Sequence, residues 1–275
     1  MYQQILVRGG IGNQMYQYAF LLFMRNHGHD IKLNTSMYNI TKMHNGYELN
    51  RVFGINELVK SYKGPALTLL RSLIKYGLLV KNENFEHIFD VISCKKPIFD
   101  GYWQSYKYFD SISQDVRLAF QFKDIDERCK SLSREMLSRN SVSLHIRRGD
   151  YLTVNGYSGI CTEQYYFKAI QYIQQHVNNP HFFVFSDDKE WCSSHLDKWN
   201  INYQLVNFNE GPNSYQDMFL MSKCRHNIIA NSSFSWWGAW LNDNTDKIII
   251  APKQWYQKDT SYYNSIRIPK QWIRL

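Results

Sequence analysis

The chain has 275 residues, of which 44% are hydrophobic and 20% are charged, and its formal net charge is +8. This length and composition exclude a disordered chain, because the sequence can bury a sizeable apolar core in one large domain or two smaller ones. The five cysteines are widely spaced and include no C-x-x-C pair, which argues against a disulfide framework and a zinc knuckle. The positive charge suits an anionic ligand or membrane surface, but the basic residues are scattered, so we expect no nucleic-acid partner.

Targeting and membrane-spanning signals are weak. The N-terminal segment lacks the charged region and long apolar region of a signal peptide. The longest apolar stretch, 67–80, is interrupted by Arg71 and Lys75 and is shorter than the ~20 residues that span a bilayer. We interpret it as a helix that packs its leucines on the core, with a helix lying on a membrane as the alternative. The expected location is cytoplasmic, with peripheral contact to the inner membrane as a second expectation.

The first half opens with a strand, a glycine turn and a helix. Residues 4–8 are apolar and β-prone, the turn 9–13 is rich in glycine, the segment 14–26 is helical and ends at Gly28, and 30–34 extends again. This order predicts a βαβ unit and a Rossmann-like first domain over residues 1–130. The periodicity between residues 42 and 100 is too weak to place later elements.

The second half predicts a second doubly wound sheet, in a domain over residues 131–275, with a junction in the polar stretch 124–140. Two Rossmann-like domains would face each other across a cleft and bind ligands at the carboxyl ends of their strands. Apolar strand candidates separated by helix-length segments lie at 141–146, 181–185, 203–206, 227–230 and 247–251.

Two adjacent arginines follow the first strand of this half, in His145-Ile-Arg147-Arg148-Gly149-Asp150. Guanidinium groups fit phosphate oxygens, so one arginine would hold a pyrophosphate while the other pairs with Asp150. The alternative is a structural network of arginine and aspartate.

A serine-rich turn, 231–235, lies between a short buried strand and a helix. Ser232 or Ser233 is a good N-cap, and a helix N-terminus offers backbone N–H groups and partial positive charge to phosphates. The tryptophans that follow, Trp236 and Trp237, are interpreted as core residues rather than a sugar platform.

Three blocks together resemble the bacterial and animal α-1,2-fucosyltransferases of glycosyltransferase family 11. They are the glycine turn 9–15, the arginine motif 145–151 and the serine turn 231–237, in this order. The resemblance implies an α/β fold of GT-B type, GDP-fucose as donor, a terminal galactose of a glycan as acceptor, and inverting displacement that needs no metal or other cofactor. It is weakest between residues 42 and 100.

The resemblance also implies roles for single residues. Arg147 would bind the donor phosphates, Asp217 would accept hydrogen bonds from guanine, and Asn13 would orient the sugar or acceptor. Without the resemblance, Asp217 is equally well read as an acidic residue at a helix N-terminus. Arg147, Asn13 and Asp150 are the expected catalytic residues. The remaining expected donor-binding residues are His145, Arg148, Asp187, Asn231, Ser232, Ser233 and Phe234.

The general base is left open among Asp150, Glu163 and His44. No Asp-x-Asp ends a strand, and the neighbouring Asp187 and Asp188 would point to opposite sides of an extended chain, so no metal site is expected.

The loop 151–162 carries two glycines and is expected to be mobile and to order when the donor binds. The competing interpretations are a GDP-sugar transferase with another acceptor or linkage, and a nucleotide- or glycan-binding module without turnover. A transferase would suit a bacterial surface-glycan pathway.

Overall fold

The computed structural model describes residues 2–275 except 42, 43, 58, 78, 85, 150, 152, 154, 155 and 259. The chain forms two compact units, which meet in sequence between Asp124 and Ile125. The division predicted at residues 130 and 131 falls inside a helix, Glu127–Ser138, that belongs to the second unit. This helix starts after Asp126, whose carboxylate accepts a hydrogen bond from the Cys129 amide.

The first unit is built on a four-stranded parallel sheet with the strand order β2-β1-β4-β3. The predicted βαβ unit is confirmed, since β1 pairs with β2 from Gln3 opposite Ile31 to Leu6 opposite Asn34. The elements are β1 Gln3–Leu6, α1 Ile11–Asn26, β2 Ile31–Asn34, α2 Leu49–Phe53, α3 Gly64–Lys75, β3 Val80–Asn82, β4 Ile98–Asp100 and α4 Ser113–Ala119.

The loops at the carboxyl end of this sheet are fixed by two fully buried glutamines of α1. Gln17 accepts a hydrogen bond from the Arg8 amide and donates one to the Gly101 carbonyl. Gln14 donates to the Gly9 carbonyl and accepts from the Glu48 amide. The loops that follow β1 and β4 are therefore held to one helix.

Helix α3 confirms the core-packing interpretation of the apolar stretch. Leu70 is buried in a cluster with Leu6, Val80 and Ile98. The same helix leaves Leu69 62% exposed, so its apolar surface is not wholly covered by the unit. Within the described residues, no helix combines the length and apolar character needed to cross a bilayer.

The second unit contains a six-stranded parallel sheet with the order β10-β9-β8-β5-β6-β7. All five predicted strands are present, and the short β10 was not predicted. The elements are α5 Glu127–Ser138, β5 Ser141–Ile146, α6 Glu163–His176, β6 His181–Ser186, α7 Lys189–His195, β7 Tyr203–Val206, α8 Tyr215–Lys223, β8 His226–Ile228, α9 Ser233–Leu241, β9 Ile249–Ala251, α10 Ser261–Arg267 and β10 Ile273–Arg274.

Strand β5 lies at the centre of this sheet and is buried along its whole length. Its sequence alternates polar and apolar residues, and the buried hydroxyls of Ser141 and Ser143 accept hydrogen bonds from the Arg225 amide and from Asn227 Nδ2. Helices α8 and α9 pack closely against each other at Gly238, where a Cβ atom would lie 2.8 Å from the Cβ of Met221. The two parallel sheets with their crossover helices confirm the predicted α/β class with two Rossmann-like domains.

Candidate active site

The second sheet brings four functional segments to one edge. Strands β8, β5, β6 and β7 are neighbours and run parallel, so the residues after their carboxyl ends lie along the same edge. Arg147 follows β5, Asp187 follows β6, Asp217 lies in the first turn of α8 after β7, and 231–234 follow β8. The expected donor-binding residues thus share one edge of one domain.

His145 is buried near the end of β5, 6% exposed, and its ring centroid lies 6.1 Å from that of Phe234. Burial, with a smaller contribution from the charge of Arg147, lowers the pKa of His145 to about 3. The imidazole is therefore neutral at physiological pH. It adds no positive charge to the site and can accept or donate a hydrogen bond according to its tautomer.

Arg147 is oriented by Asp187. Its Nε atom lies 3.2 Å from Asp187 Oδ2, and the backbone amide of Arg148 donates to Asp187 Oδ1 at 2.9 Å. The Arg147 amide also donates to the hydroxyl of Tyr166 at 3.3 Å. One carboxylate therefore holds the start of the loop and pairs with the guanidinium of Arg147, a group that can donate two hydrogen bonds to a phosphate.

Arg148 has a different environment. Its Nε donates to Asp188 Oδ2 at 3.1 Å, and its guanidinium carbon lies 4.2 Å from the centroid of the Trp191 ring. Asp188 in turn caps α7 by accepting from the Trp191 amide. These contacts hold Arg148 on α7. The predicted partner, Asp150, lies outside the described residues, and the role of Arg148 toward a donor stays a prediction.

Gly149 leaves room for Asp187, because a Cβ atom there would lie 2.5 Å from Asp187 Oδ2. We expect Gly149→Ala to displace the carboxylate and to weaken GDP binding by about tenfold, or ~1.4 kcal/mol. Calorimetric titration with GDP measures the effect, and thermal unfolding tests whether the fold is intact. Unchanged GDP affinity in a folded variant would contradict the role of Asp187 in placing Arg147.

The serine turn forms the N-terminus of α9, as predicted. Ser232 occupies the N-cap position with extended backbone, its hydroxyl makes no capping hydrogen bond, and the first turn of α9 carries no acidic residue. The backbone N–H groups of this first turn form the positive end of the helix dipole. The arrangement is that of an anion site at a helix of nine residues.

Asn231 shapes this turn. It is 1% exposed, its Nδ2 donates to the Trp255 carbonyl at 3.0 Å, and its Oδ1 accepts from the Cys161 thiol at 3.3 Å. Both the amide nitrogen and the amide oxygen of its side chain therefore make hydrogen bonds to other residues of the protein. Its expected contact with a donor stays a prediction. Trp236 and Trp237 are fully buried, which confirms their interpretation as core residues.

Asp217 is half-buried and has an ordering partner that sequence reasoning missed. Asn209 donates from Nδ2 to Asp217 Oδ1 at 2.7 Å. Burial raises the pKa of Asp217 to about 7, against smaller lowering effects of the Asn209 hydrogen bond and the Lys189 charge. A carboxylate held this way can accept two hydrogen bonds from the N1–H and 2-amino groups of guanine. The sequence could have indicated Asn209 only as a polar residue that soon follows β7.

A cluster of three tyrosines, Tyr151, Tyr157 and Tyr256, supports the loop after β5 and was also missed. Each ring centroid lies 4.6 Å from the next, and the Arg147 guanidinium carbon lies 5.1 Å from the Tyr151 ring. The spacing of these residues in sequence gives no hint that their rings make contact. Residues 152, 154 and 155 lie outside the described residues, so the expected mobility of this loop stays a prediction.

Asn13, His44 and Glu163 belong to none of these four segments. Asn13 belongs to the first unit, where its Oδ1 accepts from Gln104 Nε2 at 2.8 Å. His44 also belongs to that unit and lies beside the glycine turn, 3.3 Å from the position of a Cβ on Gly10. Glu163, at the start of α6, accepts a hydrogen bond from Trp199 Nε1. Among the described residues, no three His, Cys, Asp or Glu side chains come together as a metal site.

Comparison with solved structures supports the fold. Fucosyltransferase NodZ of Bradyrhizobium superposes with a TM-score of 0.52 at 14% identity, covering 86% of this chain and 91% of NodZ. NodZ, an α-1,6-fucosyltransferase, has also been crystallised with GDP. At this identity the likeness concerns the fold alone, and it agrees with the predicted GT-B type.

Sequence comparison supports the family. An α-1,2-colitosyltransferase of Escherichia coli is 36% identical, with 97% of this chain and 96% of that protein covered. Galactoside α-(1,2)-fucosyltransferase 1 of Rattus norvegicus is 25% identical over 85% of this chain and 61% of its own length. The sequence model described as glycosyl transferase family 11 matches residues 2–275. This chain therefore belongs to glycosyltransferase family 11.

Proposed function

We propose that this glycosyltransferase moves L-fucose from GDP-fucose to the 2-hydroxyl of a terminal galactose in a glycan, with inversion and without a metal ion. The observation that carries the proposal is the pairing of Arg147, which follows β5, with Asp187, which follows β6. On its other side β5 neighbours β8, and the serine turn after β8 starts α9. A guanidinium and a helix N-terminus on one sheet edge supply positive charge for a pyrophosphate.

The chemistry follows from where charge develops. As the bond between the sugar's anomeric carbon and the β-phosphate oxygen breaks, negative charge grows on the leaving phosphate. Preorganised donors at that position lower the barrier because they need no reorganisation during the reaction. Arg147, fixed by Asp187, and the amides of the first turn of α9 are the groups suited to this task. Asp217, ordered by Asn209, would select guanine at the other end of the donor.

The direct test is incubation with GDP-fucose and a β-galactoside, followed by NMR of the product. An α-1,2 linkage supports the proposal, and an α-1,3, α-1,4 or α-1,6 linkage contradicts it. Binding of GDP with neither transfer nor donor hydrolysis would instead support a binding module without turnover.

A second donor is favoured by the 36% identity to an α-1,2-colitosyltransferase. Colitose differs from fucose by the absence of the 3-hydroxyl, so the same phosphate and guanine contacts serve both donors. Competition between equal concentrations of GDP-fucose and GDP-colitose measures the preference as a ratio of kcat/KM. A ratio above one supports fucose as the donor sugar. A ratio well below one would replace fucose by colitose and leave the linkage and phosphate site unchanged.

Peripheral membrane contact is proposed through α3 and its C-cap residue, because Leu69 in the helix and Tyr76 at the cap are exposed near Arg71 and Lys75. Apolar side chains flanked by basic ones suit an anionic bilayer surface, on which each basic residue contributes about 1 kcal/mol. We expect flotation with phosphatidylglycerol vesicles but not with phosphatidylcholine vesicles, and at least a threefold loss on Leu69→Ser. The exposed Leu118 of α4 provides the matched control, Leu118→Ser. Equal loss in both variants, or no flotation of the wild type, would contradict the proposal.

A further inference from the structure

A short segment of the second unit, residues 255–257, contacts both loops of the candidate phosphate site. The segment lies between β9 and α10. One of the two loops follows β5 and begins with Arg147, and the other is the serine turn after β8. The segment is far from the first loop along the chain, since Tyr256 and Tyr157 are 99 residues apart, so only folding brings them together. We call residues 255–257 the clasp.

The clasp is hydrogen-bonded to the loop after β5 at three points. The Gln257 amide donates to the Gly156 carbonyl at 2.9 Å, and Gln257 Nε2 donates to the Ser158 carbonyl at 2.7 Å. The hydroxyls of Tyr256 and Tyr157 form the third hydrogen bond, at 2.9 Å. Backbone and side-chain groups of the clasp therefore both hold this part of the loop.

The clasp also holds the serine turn. The carbonyl of Trp255, which is 2% exposed, accepts a hydrogen bond from Asn231 Nδ2 at 3.0 Å. The backbone carbonyl of the same asparagine accepts from the Tyr151 hydroxyl at 3.4 Å. Asn231 thus links the clasp to the start of the loop after β5. The two loops and the clasp therefore form a closed ring of contacts.

A line of aromatic contacts leads from the clasp to Arg147. The ring centroids of Tyr256 and Tyr157 lie 4.6 Å apart, and so do those of Tyr157 and Tyr151. The Arg147 guanidinium carbon lies 5.1 Å from the Tyr151 ring, within the range of cation–π attraction. Asp187 pairs with the Nε of the same guanidinium. The tyrosine cluster therefore supports this guanidinium in addition to the carboxylate.

Helix α10 anchors the clasp. The buried Asn264 accepts a hydrogen bond from the Trp255 amide at 2.8 Å through its Oδ1 atom. The guanidinium carbon of Arg267, which is also buried, lies 4.6 Å from the Tyr256 ring. The Arg267 carbonyl accepts from Trp236 Nε1 at 2.9 Å, which ties α10 to α9, the helix that the serine turn begins. Supporting residues that are themselves locked by packing can restrain the groups of a site.

We propose that the clasp fixes the Arg147 guanidinium relative to the first turn of α9, so that both bind the same pyrophosphate, and that Tyr256 positions Arg147 through the tyrosine cluster. This inference rests on the proposed function. Stabilisation of a leaving phosphate depends on donors that are in place before the reaction starts. Tyr256 is a positioning residue, so it should affect kcat only while Arg147 is present.

The test is a double-mutant cycle of Tyr256→Phe and Arg147→Ala, assayed at saturating GDP-fucose. Tyr256→Phe keeps the ring and removes the hydroxyl that pairs with Tyr157, so kcat should fall about 3–10-fold, as for one lost hydrogen bond. In the Arg147→Ala background the same substitution should change kcat by less than about twofold, because the group that it positions is gone. Tyr262→Phe, at an exposed tyrosine of α10, is the matched control and should leave kcat unchanged in both backgrounds.

Equal losses in the two backgrounds would show a general structural effect and overturn the inference. An unchanged kcat of Tyr256→Phe in the wild-type background would overturn it too. If this variant fails to fold, Gln257→Ala replaces it in the cycle, since that change removes side-chain hydrogen bonds to Ser158 from an exposed position.

Calorimetry with GDP on the same four proteins separates this inference from the proposed function. The dissociation constants should be non-additive in the same direction as kcat, because Arg147 contacts the phosphates of GDP as well. Absence of transfer by a wild type that binds GDP would remove the proposed function, and the calorimetric cycle would still decide the inference. Additive changes in the dissociation constants would then overturn it.

Discussion

Arg147→Ala should lower kcat for transfer by about 10²–10³-fold, because the variant lacks a preorganised donor on the leaving phosphate. The loss should exceed the loss in affinity for GDP, since negative charge on the β-phosphate is greatest in the transition state. Arg147→Lys should recover only part of the rate, because an ammonium group cannot reproduce the planar fork that Asp187 orients. Steady-state kinetics with GDP-fucose and calorimetry with GDP measure the two quantities.

Arg139 provides a matched control for this prediction. It precedes β5, whereas Arg147 follows it, so the two arginines lie at opposite edges of the sheet. Arg139 pairs with Glu135 at 3.1 Å on the surface. Arg139→Ala should leave kcat within about twofold, because such pairs contribute little. A comparable loss in both variants would mean that Arg147 acts through folding rather than through the phosphate.

GDP affinity should depend on pH through Asp217. Its pKa of about 7 means that much of the carboxyl is protonated at neutral pH in the free protein. A protonated carboxyl cannot accept hydrogen bonds from both the N1–H and the 2-amino group of guanine, so guanine binding favours the ionised form of Asp217. Below pH 7, binding of GDP therefore releases the proton of this carboxyl. The affinity should therefore level off above about pH 8 and weaken up to tenfold per pH unit below about 7.

Asp217→Asn tests this dependence. An amide offers one acceptor oxygen, so GDP affinity should fall about 10–100-fold at pH 8 and become nearly independent of pH. Inosine diphosphate lacks the 2-amino group. It should bind the wild type more weakly than GDP does, and it should bind the Asp217→Asn variant about as tightly as GDP does. The exposed Asp243 gives the control variant, Asp243→Asn. A wild-type affinity that stays constant between pH 5.5 and 8, or one equal for GDP and ADP, would remove Asp217 from the guanine site.

The sequence predicted the parts of the fold that carry strong local signals. Strand β6 appears as an apolar run, and β5, in which polar and apolar residues alternate, was placed at its true bounds, Ser141–Ile146. The weakly periodic region contains β3 and β4, which have only three residues each. Strands this short bury too few side chains to show a period of two. The two-residue β10 escaped prediction for the same reason.

For the candidate site, too, the sequence predicted some residues and contacts and missed others. Arg147, Asp217 and Ser232 were found because each stands next to a strand end or helix start that the sequence marks. Asp187 was found, but its pairing with Arg147 depends on which strands are neighbours in the sheet. The contact between Asn209 and Asp217 depends on how the loop after β7 is folded beside the first turn of α8. Such contacts leave no trace in spacing, so only the folded chain identifies them.

The most direct measurement is transfer from GDP-fucose to a β-galactoside in excess EDTA, with wild type and Arg147→Ala side by side. We expect the wild type to form an α-1,2-fucosylated product at the same rate with and without EDTA, and the variant to form about 10²–10³-fold less in equal time. A rate abolished by EDTA would contradict a phosphate site built from Arg147 and a helix N-terminus alone. The absence of both product and GDP binding in the wild type would contradict the proposed function as a whole.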